Sequence, residues 1–160
     1  MQINSEVIMK KNLLLLFSAV LLFSSCKSTS YQTINTFFLS GNANTISIRT
    51  VGIGELTTAT QDNAEIHAIM SLLFRGIPDS QQKEPLVSIS ENEAFDTYND
   101  YFESLLNQKR YKTFIVSTES SSEALQVEKK IYQQTFDITI NLKALRSDLE
   151  RNGIIRKFGL

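Results

Sequence analysis

The amino-acid sequence predicts an α+β fold in which two to three helices pack on one face of a small, mainly antiparallel sheet. The strongest signal is a strand from about Lys130 to Leu142, where apolar and polar residues alternate as they do in a strand with one buried face. Two earlier segments repeat apolar residues at helical spacing. The resulting order, β-α-α-β-β-α, is typical of layered α+β domains.

The first predicted strand begins at Thr45 and ends at Gly54. Its apolar and polar residues alternate as far as Thr50 and then change phase, which predicts a bulge or bend near the end of the strand. Gly52 and Gly54 would give the backbone freedom for that bend. The Gly-x-Gly pair superficially resembles a dinucleotide-binding loop, but Thr57 stands where such a loop has its third glycine. We therefore expect a bend rather than a phosphate site.

Two amphipathic helices are predicted next. The first extends from about Thr60 to Phe74, and Gly76 and Pro78 follow it as stop signals. The second begins at Ser90, which opens a capping box with a glutamate three residues later. The apolar stripe of the first helix is Ile66, Ile69, Met70 and Leu73, and that of the second is Phe95, Tyr98, Phe102 and Leu105.

The C-terminal part is predicted to contain two strands and a short helix. The first strand covers Tyr111–Thr118, with Phe114 and Val116 on one face, and a Ser-rich turn follows it. Asn141 is expected to cap the final helix. The apolar residues of the second strand are Phe136, Ile138, Ile140 and Leu142, and those of the helix are Leu142, Leu145 and Leu149.

Composition excludes several classes of protein. The chain has 160 residues, which favours one domain, and its 16 Lys+Arg with a net charge of −1 exclude a strongly basic nucleic-acid binder. One Cys excludes a disulfide framework and a Cys-based zinc site, and one His excludes most His-rich metal sites. We therefore expect no metal, no cofactor and no nucleic-acid partner.

Residues 1–25 are typical of a secretory signal peptide. Two lysines precede an uncharged apolar run from Leu13 to Phe23, which is too short to span a bilayer. Cys26, the single cysteine, stands where cleavage would occur, and the segment resembles the signal of bacterial lipoproteins, in which this cysteine is acylated. Glu6 is unusual in such a signal, so Met9 is a possible true start.

The predicted domain organisation places a lipid anchor and polar tether at 26–44 and a single α+β domain at 45–160. The tether assignment depends on its Ser, Thr and Asn content. The apolar segment Thr36–Leu39 interrupts the tether and is expected to pack on the edge of the domain.

No residue pattern predicts a catalytic site. No Gly-x-Ser-x-Gly sequence surrounds any serine, and His67 has neither Cys nor a second His near it. Two alternatives stay open: an envelope hydrolase that uses some of Glu55, Asp62 and His67, and a binder of small ligands or surface glycans.

Arg75 is the candidate contact residue for a partner protein. It follows an apolar cluster and precedes Gly76 and Pro78, which would fix the shape of a loop that presents a forked donor to a carboxylate. The alternative is structural, because a cation at the end of a helix interacts favourably with the helix dipole.

Four segments carry a resemblance to a family: Val51–Gly54, Phe74–Pro78, Lys109–Tyr111 and Ile140–Arg146. Together they resemble small uncharacterised lipoproteins of Bacteroidota. The strand-Gly-x-Gly-helix opening is more distantly similar to the Lpp-twenty-like lipoproteins and to the N-terminal domain of the flagellar assembly T protein. Neither group has an established catalytic residue to carry over to this chain. The signal, the predicted lipid anchor, the small domain and the lack of a catalytic pattern favour a non-enzymatic protein of the cell envelope, anchored in the outer membrane and facing the periplasm, that binds another envelope protein.

Overall fold

The computed structural model describes residues 36–157, which contain a five-stranded antiparallel sheet. The strand order is β1-β2-β5-β3, and β4 also pairs with β5. The strands are β1 (Phe37–Gly41), β2 (Ile46–Gly54), β3 (Ile115–Ser120), β4 (Leu125–Glu128) and β5 (Ile131–Ile140). The predicted signal peptide and Cys26 lie outside the described residues.

Within the described residues, four α-helices accompany the sheet, so the predicted α+β class is confirmed. They are α1 (Thr57–Phe74), α2 (Glu91–Thr97), α3 (Asn99–Phe102) and α4 (Leu142–Arg151). A π-helical turn at Glu103–Asn107 follows α3, and a 3-10 helix at Arg110–Phe114 precedes β3. Within residues 36–157, no helix is long and apolar enough to cross a bilayer.

The alternation in β5 sets the core. Phe136, Ile138 and Ile140 are buried, as predicted, and β5 pairs with β2 on one side and with β3 and β4 on the other. The final helix follows at once. Its predicted cap is confirmed, because the Asn141 side chain accepts a hydrogen bond from the amide of Ala144.

The predicted bulge in the first strand is wrong. β2 pairs with β5 from Ile46 to Gly54 without a shift of register, and Thr50 and Gly52 stay on the buried face. The alternation of apolar and polar residues changes phase here because α1 lies too close to this part of the strand to leave room for a large side chain on the buried face. A Cβ on Gly52 would lie 1.9 Å from the carbonyl oxygen of Thr60 in α1. The glycine therefore permits close helix packing rather than a bend.

The folded domain begins earlier than the predicted boundary at 45. β1, within the segment assigned to the tether, pairs with β2 and places Phe38 opposite Ile48. The register shifts between Phe38 and Ser40, which makes Leu39 the bulged residue. The apolar run that interrupts the tether was the signal for this strand, and it pairs as an edge strand of the sheet.

The second predicted helix is interrupted at Tyr98. This residue has φ −122° and ψ 40°, so α2 ends there and α3 begins with the next residue. Its partly apolar face still packs: Phe102 and Leu105 are buried, and the ring of Phe95 stacks on that of Phe102 at 4.8 Å between centroids. Ser90 caps α2 as predicted, since its hydroxyl accepts a hydrogen bond from the amide of Glu93.

The predicted strand at 111–118 begins too early. Residues 110–114 form the 3-10 helix, which buries Phe114, whereas Val116 lies on β3 and is 60% exposed. The two side chains therefore do not share a face. The short strand β4 gave no sequence signal because all four of its residues are exposed.

The close contact between α1 and β2 predicts a specific response to one added methyl group. We expect Gly52→Ala to lower the free energy of unfolding by about 1–3 kcal/mol or more, because the helix backbone must move away from the sheet. Alanine favours strands more than glycine does. Strand propensity would therefore not lower the stability, and a measured loss would come from packing alone. Chemical denaturation measures the change.

Gly41→Ala in β1 is the matched control. The atoms nearest to its added Cβ are a ring carbon of Phe38 at 3.2 Å and the carbonyl oxygen of Thr45 at 3.3 Å, so we expect a smaller loss of stability than for Gly52→Ala. Equal stability of Gly52→Ala and the parent protein would contradict the close packing of α1.

Candidate binding surfaces

Arg75 lies at the C-terminal end of α1, as the structural alternative expects. Its backbone amide and that of Gly76 both donate to the carbonyl oxygen of Ser71, at 3.0 and 2.8 Å. The guanidinium Nη2 lies 3.5 Å from Oε2 of Glu91, and each of these side chains is 30% exposed. A carboxylate of the same chain therefore already interacts with this side chain.

Gly76 has a structural role. It is buried with φ 73°, and an added Cβ would lie 1.9 Å from the carbonyl oxygen of Lys83. The chain after it returns to the end of α1, where the amides of Leu86 and Val87 donate to the carbonyls of Leu72 and Leu73. This satisfies carbonyls that a helix end leaves without partners. Pro78 is exposed. A contact of this loop with another protein stays a prediction.

The residues considered for a hydrolase do not share contacts. His67 is buried, its Nδ1 lies 3.3 Å from the carbonyl oxygen of Val51, and burial lowers its pKa. Asp62 instead forms ion pairs with Lys109 and Lys112, with N–O distances of 2.6 and 2.5 Å. Glu55 is exposed. Within residues 36–157, no group of three His, Cys, Asp or Glu side chains is arranged to hold a metal ion.

Sequence reasoning missed a buried carboxylate, Glu65. Its side chain accepts hydrogen bonds from Gln61 and Thr118 at 2.8 Å each, and its Oε2 lies 3.1 Å from Nζ of Lys112. These contacts join α1 to the 3-10 helix and to β3. Because the charge is paired and hydrogen-bonded, we assign this cluster a structural role.

Helix α1 packs against one of the two faces of the sheet. α1 packs on the face that contains Ile48 and Ile138. On the other face, the outer face, Arg49 of β2 donates two hydrogen bonds of 2.7 Å to Asp137 of β5. The hydroxyls of Ser47 and Thr139 lie 2.8 Å apart on the same face.

The ends of the outer face are more apolar. Strand register places Phe37 beside Arg49, and it places Ile53 and Leu125 on either side of Gln133. Ile53 and Leu125 therefore lie on the same part of the face, and Phe37 lies apart from them on the edge strand. The exposed fractions of Phe37, Ile53 and Leu125 are 60%, 38% and 66%. Exposed apolar side chains that lie together mark surfaces that bind other molecules.

An open cleft of about 590 Å³ lies where the helix is interrupted at Tyr98. Residues 96–101 form much of its wall, and Ser104, Arg110 and Asn152 complete it. Neither the break nor the cleft could be read from the sequence, because the helical spacing of apolar residues continues through the break.

A buried carboxylate holds two side chains of the cleft. Asp148 is 7% exposed and accepts hydrogen bonds of 2.9 Å from the Tyr101 hydroxyl and from Nη1 of Arg110. The Arg110 guanidinium also lies over the Tyr101 ring, 4.9 Å from its centroid. Burial and then the bond to Asp148 raise the pKa of Tyr101.

Comparisons with known proteins give no relative for this chain: no family model, no curated protein and no solved structure matches it.

The ion pairs of Asp62 predict a pH-dependent contribution to stability. Partial burial by itself would raise the pKa of Asp62, but hydrogen bonds from Lys109 and Lys112 outweigh it and lower the pKa below the ordinary 3.8. A lowered carboxyl pKa stabilises the folded state above about pH 4, and this stability is lost as the pH falls through the folded-state pKa.

We therefore expect Asp62→Asn to cost about 1–2 kcal/mol at pH 7. The difference from the parent protein should shrink as the pH is lowered below about 4. Urea denaturation across this pH range measures both, and Asp79→Asn in an exposed loop is the control. A cost that is the same at pH 3 and pH 7 would contradict the role of the two lysines.

Proposed function

We propose that this chain is a lipid-anchored protein of the bacterial cell envelope that binds another envelope protein and catalyses no reaction. The signal pattern of residues 1–25 and the position of Cys26 support the anchor. The resemblance to Bacteroidota lipoproteins supports a place in the outer membrane, facing the periplasm. Two or more acyl chains on Cys26 would hold the protein stably at the membrane.

The outer face of the sheet is the observation that carries the binding role. Its centre consists of polar side chains already fixed by cross-strand bonds, such as Arg49 with Asp137, and its ends expose Phe37, Ile53 and Leu125. Interfaces of proteins that also exist separately contain polar as well as apolar surface, and aromatic residues and arginine are enriched in them. Because the bonded side chains are held in place, a partner would bind a surface that needs little ordering.

The position of the anchor limits where the partner is found. Phe37, the first residue of the sheet, follows Cys26 by eleven positions. An extended chain of that length spans at most roughly 40 Å. An acylated Cys26 would therefore hold β1 within roughly that distance of the lipid surface, so we infer a partner at the same membrane.

The alternative of an envelope hydrolase has less support. Asp62 is paired with two lysines and His67 lies against a backbone carbonyl. The contacts of both side chains therefore hold parts of the fold together. A general base needs a hydrogen bond to the group that it activates, and the contacts of His67 supply no nucleophile.

Site-specific photo-crosslinking tests the binding role. A photoreactive residue is introduced at Ile53 or Thr135 on the outer face, in cells that naturally make the protein, and at exposed Ser147 of α4 as the control. We expect the two outer-face positions to give the same discrete adduct with another protein and Ser147 to give none. Adducts of equal yield at all three positions, or none on the outer face, would overturn the proposal.

The anchor is tested in the same cells. Cys26→Ser should abolish labelling by a fatty-acid probe, move the protein out of the washed membrane fraction or leave its signal uncleaved, and abolish the outer-face adduct. Continued labelling of Cys26→Ser would show that another residue is acylated and that the assignment of Cys26 is wrong.

A further inference from the structure

The cleft beside Tyr98 has the size of a small-molecule site. Its volume of about 590 Å³ falls within the range of about 300–1,000 Å³ that is usual for such sites. It is lined by elements that are distant in sequence: residues 96–101 and Ser104 on one side, Arg110 before β3, and Asn152 at the end of α4. Its shape therefore depends on the complete fold.

The lining favours a ligand with many hydroxyl groups. The side chains of Asp100, Asn99 and Thr97 supply a carboxylate, an amide and a hydroxyl, which between them donate and accept hydrogen bonds. Tyr98 and Tyr101 add aromatic rings, whose hydroxyls donate to Gly153 and Asp148 of the chain itself. Sugar rings have both kinds of surface, since hydroxyls project from their edges and C–H groups form their faces.

The charges of the cleft disfavour an anionic ligand. Asp96 and Asp100 are both exposed and line it, whereas the guanidinium of Arg110, its one cation among the lining residues, is paired with Asp148. An anion would approach two carboxylates, and the one cation that lines the cleft, Arg110, is held by Asp148, which also pairs with Arg151 outside the lining. A neutral ligand meets no such repulsion.

The cleft is also fixed in shape before any ligand arrives. Asp148 holds Tyr101 and Arg110, and the Tyr98 hydroxyl donates to the carbonyl oxygen of Gly153 at 3.2 Å. A π-helical turn that contains Ser104 borders the cleft, and such turns occur frequently at functional sites. The two tyrosine rings and the guanidinium of Arg110 are thereby held in place and lose little freedom on binding, which favours affinity.

We propose that this cleft binds a neutral saccharide of one or two rings, with Asn99 and Asp100 as hydrogen-bonding residues. The site is separate from the outer face of the sheet, so it goes beyond the proposed binding of a partner protein and does not depend on it.

Binding of defined sugars to the full-length protein in detergent tests the proposal. The neutral probes are N,N′-diacetylchitobiose, cellobiose and maltose, and the anionic comparison is digalacturonic acid. Saturation-transfer NMR and calorimetry should show saturable binding of at least one neutral probe, with a dissociation constant below about 1 mM, and much weaker binding of the acid.

Variants assign that binding to the cleft. Asn99→Ala and Asp100→Ala should each raise the dissociation constant by about tenfold or more, which corresponds to the loss of about one good hydrogen bond to a charged or polar group. Asn92→Ala removes an exposed amide of α2 that does not line the cleft, and it should leave binding unchanged. Melting curves that match the parent protein show that each variant is folded.

Three results would overturn the proposal: no saturable binding of any neutral probe, binding that both cleft variants leave unchanged, or equally tight binding of digalacturonic acid. None of them bears on the crosslinking at the outer face or on the acylation of Cys26, so the two proposals fail separately.

Discussion

The contact between the backbone of α1 and strand β2 is the constraint on which the other contacts of the domain depend. At Gly52 the two backbones are so close that no side chain fits between them. Small side chains on the helix extend the contact, since Ala64 and Ala68 are completely buried. Close packing of this kind fixes both the distance and the direction of the helix, because any larger residue at these positions would lift it from the sheet.

Packing against β2 fixes the position of α1, and both ends of the helix form further contacts there. Near its start, Asp62 and Glu65 meet Lys112, which ties the helix to the segment before β3. At its end, the carbonyls of Leu72 and Leu73 accept hydrogen bonds from the returning loop. Arg75 belongs to this second group of contacts, and its interaction with Glu91 connects the end of α1 to the start of α2.

The sequence predicted the elements whose signals are local. The alternation of Phe136, Ile138 and Ile140 and the caps Ser90 and Asn141 need only a few neighbouring residues to be recognised. The predicted stripe of α1 is only partly right, because Ile66 is half-buried while Glu65 and His67 beside it are buried. The sequence did not predict the features that depend on distant residues. β1 is held by pairing with β2, Gly52 is explained by a helix that begins after it, and the break at Tyr98 leaves the apolar spacing unchanged. The cleft combines several such features, so no single segment could indicate it.

The two proposals depend on different features of the structure, one on features with local sequence signals and the other on features that depend on distant residues. The outer face follows from strand alternation, with the buried side chains of β2 and β5 on one face and the Arg49–Asp137 pair on the other. The cleft follows from irregular backbone at Tyr98 and at residues 103–107, held together by buried Asp148. α1 contacts both regions, since it packs on the sheet at Gly52 and the ring of Phe74 at its C-terminal end lies 5.7 Å from the ring of Phe102.

The most direct test of that constraint is a nuclear Overhauser measurement on the isotope-labelled protein, between the α-protons of Gly52 and the methyl protons of Ala64. A Cβ on Gly52 would lie 3.0 Å from the Cβ of Ala64, so the account predicts a strong cross-peak between these groups. Absence of this cross-peak, with the Gly52 amide exchanging at the rate of an exposed residue, would contradict the packing on which the fold depends.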